Sequence, residues 1–357
     1  MQDQELEDLV ALLPPLLQAI EVLGFVSRNI HPPGLASLLD NIGEPDAALR
    51  GPMTRVEAWP DRLLGLKTRL TSASQAVFRG FEGLREAARD PQGGMGSAYR
   101  ALGQIPRAME ALYPLAADLP PVSRFFMSPD LRGDEDRLEQ LAQTKPSAET
   151  GLFNAGAAAA ENGGFAVYVP EDYSPDRTWP LVVALHGGSG NGRNFLWTWL
   201  RDARSAGAIL VAPTSTGRTW ALAGRDTDTP FLGQIVDMAK ERWRIDESRM
   251  LLTGMSDGGS FTFISGLEAA SPFTHLAPIS TGFHPVMAQM ADRERLSGLP
   301  IYLAHGTLDW MFDIGMARQA AEALTAVGAA VTWREIEDLS HTYPRELNPQ
   351  ILAWMGV

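Results

Sequence analysis

Apolar residues recur every three or four positions through the first part of the chain, a spacing that predicts amphipathic helices. The clearest apolar stripe marks one long helix and consists of Leu63, Leu66, Leu70, Ala73, Val77, Phe81, Leu84 and Ala88. A second stripe consists of Ala98, Leu102, Ile105, Met109 and Leu112. Pro106 falls inside the second stripe and must either kink that helix or start a new one. The region lacks alternating strand patterns and fixed-period repeats, so we predict an all-helical domain over residues 1–145.

The pattern changes after residue 145. Residues 146–164 are rich in Pro, Ser, Gly and Ala, a composition that predicts a linker. From residue 165 to residue 357 helix-forming segments alternate with short apolar runs, namely 165–170, 181–185, 208–213, 276–279, 301–304 and 330–336. One helix is expected over residues 230–242, with Thr229 as its N-cap. Buried strands that alternate with helices predict the α/β class, with a mostly parallel sheet covered on both faces.

Composition narrows the possible partners and compartments. The chain of 357 residues has a formal net charge of −13, which repels nucleic acid and anionic membranes. It contains no cysteine, which excludes disulfides, thiolate catalysis and cysteine metal sites. The N-terminus is acidic where a signal peptide is basic, and Pro14 and Pro15 interrupt the apolar residues 9–25, so we expect no membrane span. These features predict a cytoplasmic protein, and secretion by a signal that precedes this numbering is the open alternative.

One stretch of the chain has the pattern of a catalytic turn. The apolar residues 250–252 lead into Gly254-Met255-Ser256-Asp257-Gly258, and the following residues can continue as a helix. A sharp bend from strand to helix pushes its serine out of the sheet, and glycines flank the serine because side chains would clash there. The stretch resembles the nucleophile elbow of the α/β-hydrolases, and we predict that Ser256 is the nucleophile.

The general base is found by elimination. A serine hydroxyl needs a base within hydrogen-bond reach, and in α/β-hydrolases the acid and then the histidine follow the serine on loops after strands. Four histidines lie downstream of the serine: His275, His284, His305 and His341. The first opens a strand, the second comes too early in the chain, and we expect the third to shape the loop that follows it. His341 lies between the last predicted strand and the last predicted helix, so we predict it as the base.

Three aspartates compete for the role of the acid that orients the base. Asp309 follows a predicted strand and a glycine turn. Asp313, four residues later, is expected to cap the next helix. Asp338 lies only three residues before His341, which is short for reaching around an imidazole ring. We therefore predict Asp309.

The tetrahedral intermediate of acyl transfer needs hydrogen-bond donors for its oxyanion. One predicted donor is the backbone N–H of Asp257, directly after the nucleophile. The second is the backbone N–H of Gly188, in the glycine-rich loop of residues 186–192. Three tryptophans fall in or near loops expected to surround the nucleophile: Trp197, Trp220 and Trp310. We predict them as substrate-binding residues, and simple packing beside these loops is the open alternative.

These motifs together resemble the esterase branch of the α/β-hydrolases that includes polyhydroxybutyrate depolymerases and feruloyl esterases, and they are also similar to the phospholipase/carboxylesterase group. The matching pieces are Tyr168-Val169-Pro170, residues 180–188, Arg244-Ile245-Asp246, residues 254–259, residues 305–309 and His341. The resemblance covers the chain from residue 165 onward. It implies an α/β-hydrolase fold over residues 165–357 and cleavage of a small or oligomeric carboxylic ester without a metal or another cofactor. Asp257 departs from the family, which often has an amide side chain there.

Two other functions fit parts of the pattern. Serine peptidases of the prolyl-oligopeptidase type share the glycine-rich loop and the elbow, although they usually carry a β-propeller where this chain is helical. A non-catalytic scaffold protein could also keep the fold. The helical region has apolar stripes without catalytic residue types, so we expect a cap over the active site or an oligomerisation surface. Deletion of residues 1–145, followed by sedimentation and by tests of acyl-chain preference, separates these two roles.

Overall fold

A computed structural model describes residues 1–90, 94–144, 147–156 and 160–357. These residues form two compact units, Met1–Arg132 and Gly133–Val357, which we call the helical unit and the sheet unit. The described α-helices of the helical unit are α1 (Asp3–Asn29), α2 (Leu35–Ile42), α3 (Arg50–Glu57), α4 (Leu64–Ala88), α5 (Gly94–Leu102), α6 (Gln104–Leu112) and α7 (Pro120–Phe125).

The two predicted apolar stripes form the interior of the helical unit. On α4 the middle of the first stripe is buried, including Val77 and Phe81, and every member of the second stripe is buried. Pro106 starts a new helix and does not kink an old one, because α5 ends at Leu102 and α6 begins at Gln104. Proline is tolerated there because the first turn of a helix has no intrahelical partners for its N–H groups.

Helix α1 corrects one expectation. Pro14 and Pro15 do not interrupt it, and it runs without a break for 27 residues. One of its faces is buried, with Leu12, Leu16 and Leu23 inaccessible to solvent, and this packing outweighs the backbone hydrogen bonds that the prolines remove. By length and composition alone α1 could cross a membrane, and 44% of its most apolar window is buried in the fold. The two prolines therefore do not shorten the apolar helix, and the absence of a membrane span stays a prediction.

The sheet unit alternates strands and helices, as predicted. Its described strands are β1 (Gly151–Gly156), β2 (Gly164–Val169), β3 (Trp179–Leu185), β4 (Ile209–Pro213), β5 (Ile245–Met255), β6 (His275–Ile279), β7 (Pro300–Gly306) and β8 (Ala330–Ile336). Its described α-helices are α8 (Glu135–Gln143), α9 (Gly192–Ala206), α10 (Asp228–Arg242), α11 (Asp257–Gly266), α12 (Val286–Met290), α13 (Arg293–Leu296), α14 (Ile314–Ala326) and α15 (Asn348–Trp354).

The strands form one mixed sheet in the order β1-β2-β4-β3-β5-β6-β7-β8 within the described residues. Strand β2 pairs antiparallel with β1 and β4, and all strand pairs from β4 to β8 are parallel. The central strands β3 and β4 are buried along their whole length, which explains why their sequences are continuous apolar runs without alternation. Because β3, β5 and β7 are parallel, the loops that follow them leave the same edge of the sheet.

The structure differs from the predicted segmentation in two respects. The helical unit ends at Arg132, before the predicted boundary at residue 145, and α8 lies in the sheet unit. The predicted linker, residues 146–164, contains β1, while its residues 146 and 157–159 lie outside the described part. Strand β1 begins and ends with glycine and has no apolar alternation of its own. Its pairing with β2, from Gly151 opposite Val169 onward, is a tertiary interaction that local composition cannot reveal.

Helix α10 begins earlier than predicted. Its N-cap is Thr227, whereas the sequence predicted Thr229. The reason is Asp228, which is fully buried and accepts hydrogen bonds from the backbone N–H groups of Thr216 (2.7 Å) and Ala221 (2.8 Å). The carboxylate thus joins the first turn of α10 to the loop after β4. This contact holds Asp228 in place as the first residue of the helix.

Candidate active site

The nucleophile elbow lies between β5 and α11. Ser256 has φ 57° and ψ −121°, a backbone conformation that costs a non-glycine residue about 1–3 kcal/mol. A Cβ atom on Gly258 would lie 2.5 Å from the carbonyl oxygens of Leu185 and His186, so a side chain has no room there. The backbone N–H of Ser256 donates to the carbonyl of Ile279 on β6 (3.0 Å), which fixes the bend against the sheet.

The three predicted triad residues meet at this elbow. The Oγ atom of Ser256 lies 3.1 Å from Nε2 of His341. On the other side of the ring, Nδ1 of His341 lies 2.9 Å from Oδ2 of Asp309. Because a carboxylate accepts at Nδ1, the hydrogen of the neutral ring belongs on Nδ1, and the lone pair of Nε2 faces the serine hydroxyl. This arrangement can remove the hydroxyl proton when the serine attacks.

The loop after β7 presents Asp309 as an ionised acceptor. Its Oδ1 atom accepts hydrogen bonds from the backbone N–H groups of Met311 and Phe312, each 2.9 Å away. Burial opposes ionisation of Asp309, but the hydrogen bonds from His341 and from this loop outweigh burial and lower the pKa of the carboxyl group. Asp313 caps α14 by accepting from the N–H of Gly315 (2.8 Å), which confirms the structural role expected for it.

A second histidine also contacts the acid. His305 is fully buried, and its Nε2 lies 2.9 Å from the carbonyl oxygen of Phe312 and 3.4 Å from Oδ2 of Asp309. Both neighbours accept hydrogen bonds, so the ring carries its hydrogen on Nε2. The contact with Phe312 confirms that His305 shapes the loop after β7. The contact with Asp309 could not be read from the sequence, because it depends on how that loop folds back.

The glycine-rich loop after β3 is held by a network of buried rings. Nε2 of His186 accepts from the backbone N–H of Ser215 (3.1 Å), and its Nδ1 lies 2.7 Å from the carbonyl oxygen of Gly187, to which it donates. The indole N–H of Trp220 donates to the carbonyl of His186 (2.7 Å), and the Trp220 ring stacks on Phe261 of α11 with centroids 5.4 Å apart. The loop is therefore fixed to β4 and to the nucleophile helix at the same time.

This network brings the two predicted oxyanion donors to the nucleophile. A Cβ atom on Gly187 would lie 3.6 Å from the Cβ atom of Ser256, and one on Gly188 would lie 2.7 Å from Oδ2 of Asp257. Within the described residues, the backbone N–H groups of Gly188 and Asp257 have no hydrogen-bond acceptor. A developing oxyanion requires N–H groups without other acceptors, and the role of these two as its donors stays a prediction.

The three predicted substrate-binding tryptophans differ in their exposure. Trp310 is 49% exposed, and its ring centroid lies 6.5 Å from that of His341, so it is available to a substrate. Trp197 and Trp220 are each 2% exposed. Trp197 lies within α9, and Trp220 donates to the carbonyl of His186 in the glycine-rich loop, so both are buried and their role in substrate binding stays a prediction. The positions of these tryptophans in the sequence do not distinguish a packing role from substrate binding.

The loop that carries the base is anchored by residues that the sequence analysis missed. The hydroxyl of Tyr343 donates to Oδ1 of Asn348 (2.9 Å), and burial raises the pKa of this tyrosine. The amide of Asn348 donates in turn to the carbonyl of Thr198 and to the carboxylate of Asp202, both 2.9 Å away on α9. These contacts anchor the loop that carries His341 to α9. Thr198 and Asn348 are 150 residues apart in the sequence, so no local sequence pattern could predict their contact.

Burial of the histidines predicts a dependence of stability on pH. Burial lowers the pKa of His186, of His275 and of His305. The stabilisation that they give as neutral rings is complete above the unfolded pKa of about 6.5 and is lost as the pH falls towards the lower folded values. We expect the free energy of unfolding of the sheet unit to fall below pH ~6.5, by up to about 1.4 kcal/mol per pH unit for each fully buried ring.

Chemical denaturation of the full chain between pH 5 and 8 measures this slope. His305→Gln should reduce it, because the variant removes one buried titrating ring. His284→Gln is the matched control, since His284 is exposed. An unfolding free energy that stays constant over this range would contradict the prediction.

Comparison with known proteins finds similarity to esterases in the sheet unit. The sequence profile of the phospholipase/carboxylesterase family matches residues 223–351. A bifunctional acetylxylan esterase/xylanase of Neocallimastix patriciarum is 35% identical over 149 residues, which are 40% of this chain and 21% of the relative. A probable feruloyl esterase C of Aspergillus terreus is 27% identical over 149 residues, 40% of this chain and 55% of the relative. The chain thus spans about half the length, or less, of these curated relatives.

Solved structures include a thermostable esterase that is 22% identical, with a TM-score of 0.46 and coverage of 60% of this chain and 61% of that one. The strand order and the elbow between β5 and α11 give the sheet unit the α/β-hydrolase fold. Within this unit, residues 223–351 are similar to the phospholipase/carboxylesterase family, and the helical unit precedes them in the sequence.

Proposed function

We propose that the protein is a serine hydrolase that cleaves carboxylic esters through an acyl-enzyme. The observation that carries the proposal is the continuous chain of hydrogen bonds from Ser256 through His341 to Asp309, beside two unpaired backbone N–H groups. A strained serine in a glycine-flanked bend has no role in stability that would explain its conformation. The arrangement matches the needs of acyl transfer at a carbonyl carbon.

The reaction follows from the positions of the three side chains. Oγ of Ser256 bonds to the ester carbonyl carbon while its proton passes to Nε2 of His341, and the carbonyl oxygen becomes an oxyanion held by the N–H groups of Gly188 and Asp257. The intermediate collapses, the bond to the alcohol oxygen breaks, and His341 returns the proton to that oxygen. Water then repeats the sequence on the acyl-enzyme and releases the acid. The carboxylate of Asp309 stabilises the imidazolium at both stages.

The surroundings of the base support an apolar or aromatic group in the substrate. Trp310 is exposed beside His341, and the centroid of the Phe312 ring lies 5.6 Å from that of His341. Aromatic faces of this kind bind acyl chains, aromatic rings and sugar rings. The relatives named for acetylxylan and feruloyl esters support a small or oligomeric ester as the substrate class.

A comparison of leaving groups tests the proposal. We expect the full chain to hydrolyse p-nitrophenyl acetate and butyrate and to leave aminoacyl p-nitroanilides intact. A fluorophosphonate probe should label Ser256 and block ester hydrolysis in proportion to the labelling, because the probe reacts with serines activated by a histidine.

The three possible functions give different outcomes. Cleavage of anilides without cleavage of esters would favour a peptidase of the prolyl-oligopeptidase type. Folded protein that resists the probe and cleaves neither class would favour a scaffold role. Ester cleavage that persists when Ser256 is fully labelled would contradict the proposed nucleophile.

A further inference from the structure

The carboxylate of Asp257 occupies an unusual position for a charge that the reaction does not use. Asp257 follows the nucleophile directly, is half-buried, and begins α11. Its Oδ2 atom accepts a hydrogen bond from Oγ1 of Thr219, 2.6 Å away in the loop after β4. That oxygen also lies 2.7 Å from the place where a Cβ atom on Gly188 would be, so the carboxylate rests against the backbone of the oxyanion loop.

This charge is not neutralised by its surroundings. Arg218 precedes Thr219 in the sequence but is exposed, and no ion pair with Asp257 exists in the described part of the chain. The Oδ1 atom of Asp257 likewise has no partner among the described residues. The start of a helix favours a negative charge, which accounts for an acidic residue at this position. It does not account for the contact with Thr219 or for the placement against Gly188.

A fixed negative charge beside an oxyanion hole has a cost in catalysis. It opposes the negative charge that develops on the substrate oxygen, unless the substrate supplies a compensating group. A hydroxyl or ammonium group near the scissile ester can donate to the free Oδ1 atom, whereas a negatively charged group there is repelled. The carboxylate therefore distinguishes substrates by their charge and hydrogen-bond donors.

We propose that Asp257 is a specificity-determining residue, which favours esters with a hydrogen-bond donor or positive charge close to the carbonyl and disfavours anionic esters. The inference rests on the proposed ester hydrolysis and adds the charge class of its substrate. Thr219 is the positioning residue, because its hydroxyl holds the carboxylate beside Gly188. Unit charges roughly 8 Å apart in a partly exposed site interact strongly enough to change rates by about tenfold.

Three acetate esters of similar size test the proposal on the full chain. O-Acetylcholine carries a positive charge, 3,3-dimethylbutyl acetate is its neutral isostere, and 2-sulfoethyl acetate is negative. The measured quantity is the ratio of kcat/KM for the cationic ester to that for the anionic ester, determined by titration of the acid released. Comparison of this ratio between variants cancels the intrinsic reactivity of each ester.

We expect Asp257→Asn to lower the cation-to-anion ratio by about tenfold or more. Thr219→Val should lower it less, because the charge remains but is no longer held. Asp237→Asn is the matched control: it removes the same charge from an exposed position on α10 and should leave the ratio unchanged. A merely structural role at the start of α11 would lower stability without changing the ratio.

The wild-type protein provides a second measurement that needs no variant. Raising the salt concentration from about 0.01 M to about 1 M should bring its ratio towards that of Asp257→Asn, since salt screens a partly exposed charge. The inference is overturned if salt does not change the cation-to-anion ratio of the wild type and Asp257→Asn has the same ratio as the wild type. If wild-type protein cleaves none of the three esters, the proposed ester hydrolysis fails instead, so the two failures are distinguishable.

Discussion

Replacement of Ser256 by alanine should lower kcat/KM for a neutral ester by about 10⁵- to 10⁶-fold while the protein stays folded. The hydroxyl is the only group at the elbow that can bond to the carbonyl carbon, and His341 has no other proton to remove at that position. The rate that remains should reflect the oxyanion donors acting on attack by water. Steady-state kinetics with p-nitrophenyl butyrate measures the loss.

Ser260→Ala is the matched control. Ser260 lies one turn further along α11, and its hydroxyl contacts Oγ1 of Thr281 (2.8 Å) and the carbonyl of Gly282 (3.1 Å), away from the base. We expect this variant to keep kcat/KM within about tenfold of the wild type, since it loses only a local hydrogen bond. Equal losses in both variants would show that the helix start as a whole, and not the Ser256 hydroxyl, is required.

The elbow and the order of the triad could be predicted because their physical cause is local. The bend forces glycine at positions 254 and 258, and those glycines stand beside the serine in the sequence. The acid follows the buried strand β7, which is visible as an apolar run, and the base follows the partly exposed edge strand β8. Elimination among few histidines then left His341. The contact among the three loops is long-range in sequence. It could still be predicted, because the loops that follow parallel strands leave the same edge of the sheet.

The supporting contacts could not be predicted because their cause is tertiary. Asp228 looks like an ordinary helix-start residue, yet it joins two loop segments while fully buried. Trp220 and Trp310 both follow strands and have the same chemistry, but only Trp310 remains exposed beside the base. Pro14 and Pro15 looked like a helix break, and packing of α1 overrides them. In each case the burial that decides the outcome comes from residues far away in the sequence.

Asp309→Asn should lower kcat by about 10⁴-fold, through the tautomer of the base. In the wild type Oδ1 accepts from the N–H groups of Met311 and Phe312, while Oδ2 accepts from Nδ1 of His341. An asparagine must keep its oxygen at the first position to satisfy those two donors. Its amide NH₂ group then faces Nδ1, which becomes an acceptor, so the ring hydrogen moves to Nε2. A donor at Nε2 cannot take the proton of Ser256.

Two other aspartates serve as controls because each was a rival for the same role. Asp313→Asn should change kcat little, since Asp313 caps α14 and asparagine caps helices nearly as well as aspartate. Asp338→Asn should also retain activity, because the Nδ1 atom of His341 already has Asp309 as its acceptor. A large loss in either control together with normal activity of Asp309→Asn would reassign the acid.

The pH profile of Asp309→Asn adds a second measurement. The variant should recover some rate at high pH, because hydroxide can act there without a base. A rate that stays low at every pH would show that the side chain has a further role in folding the loop.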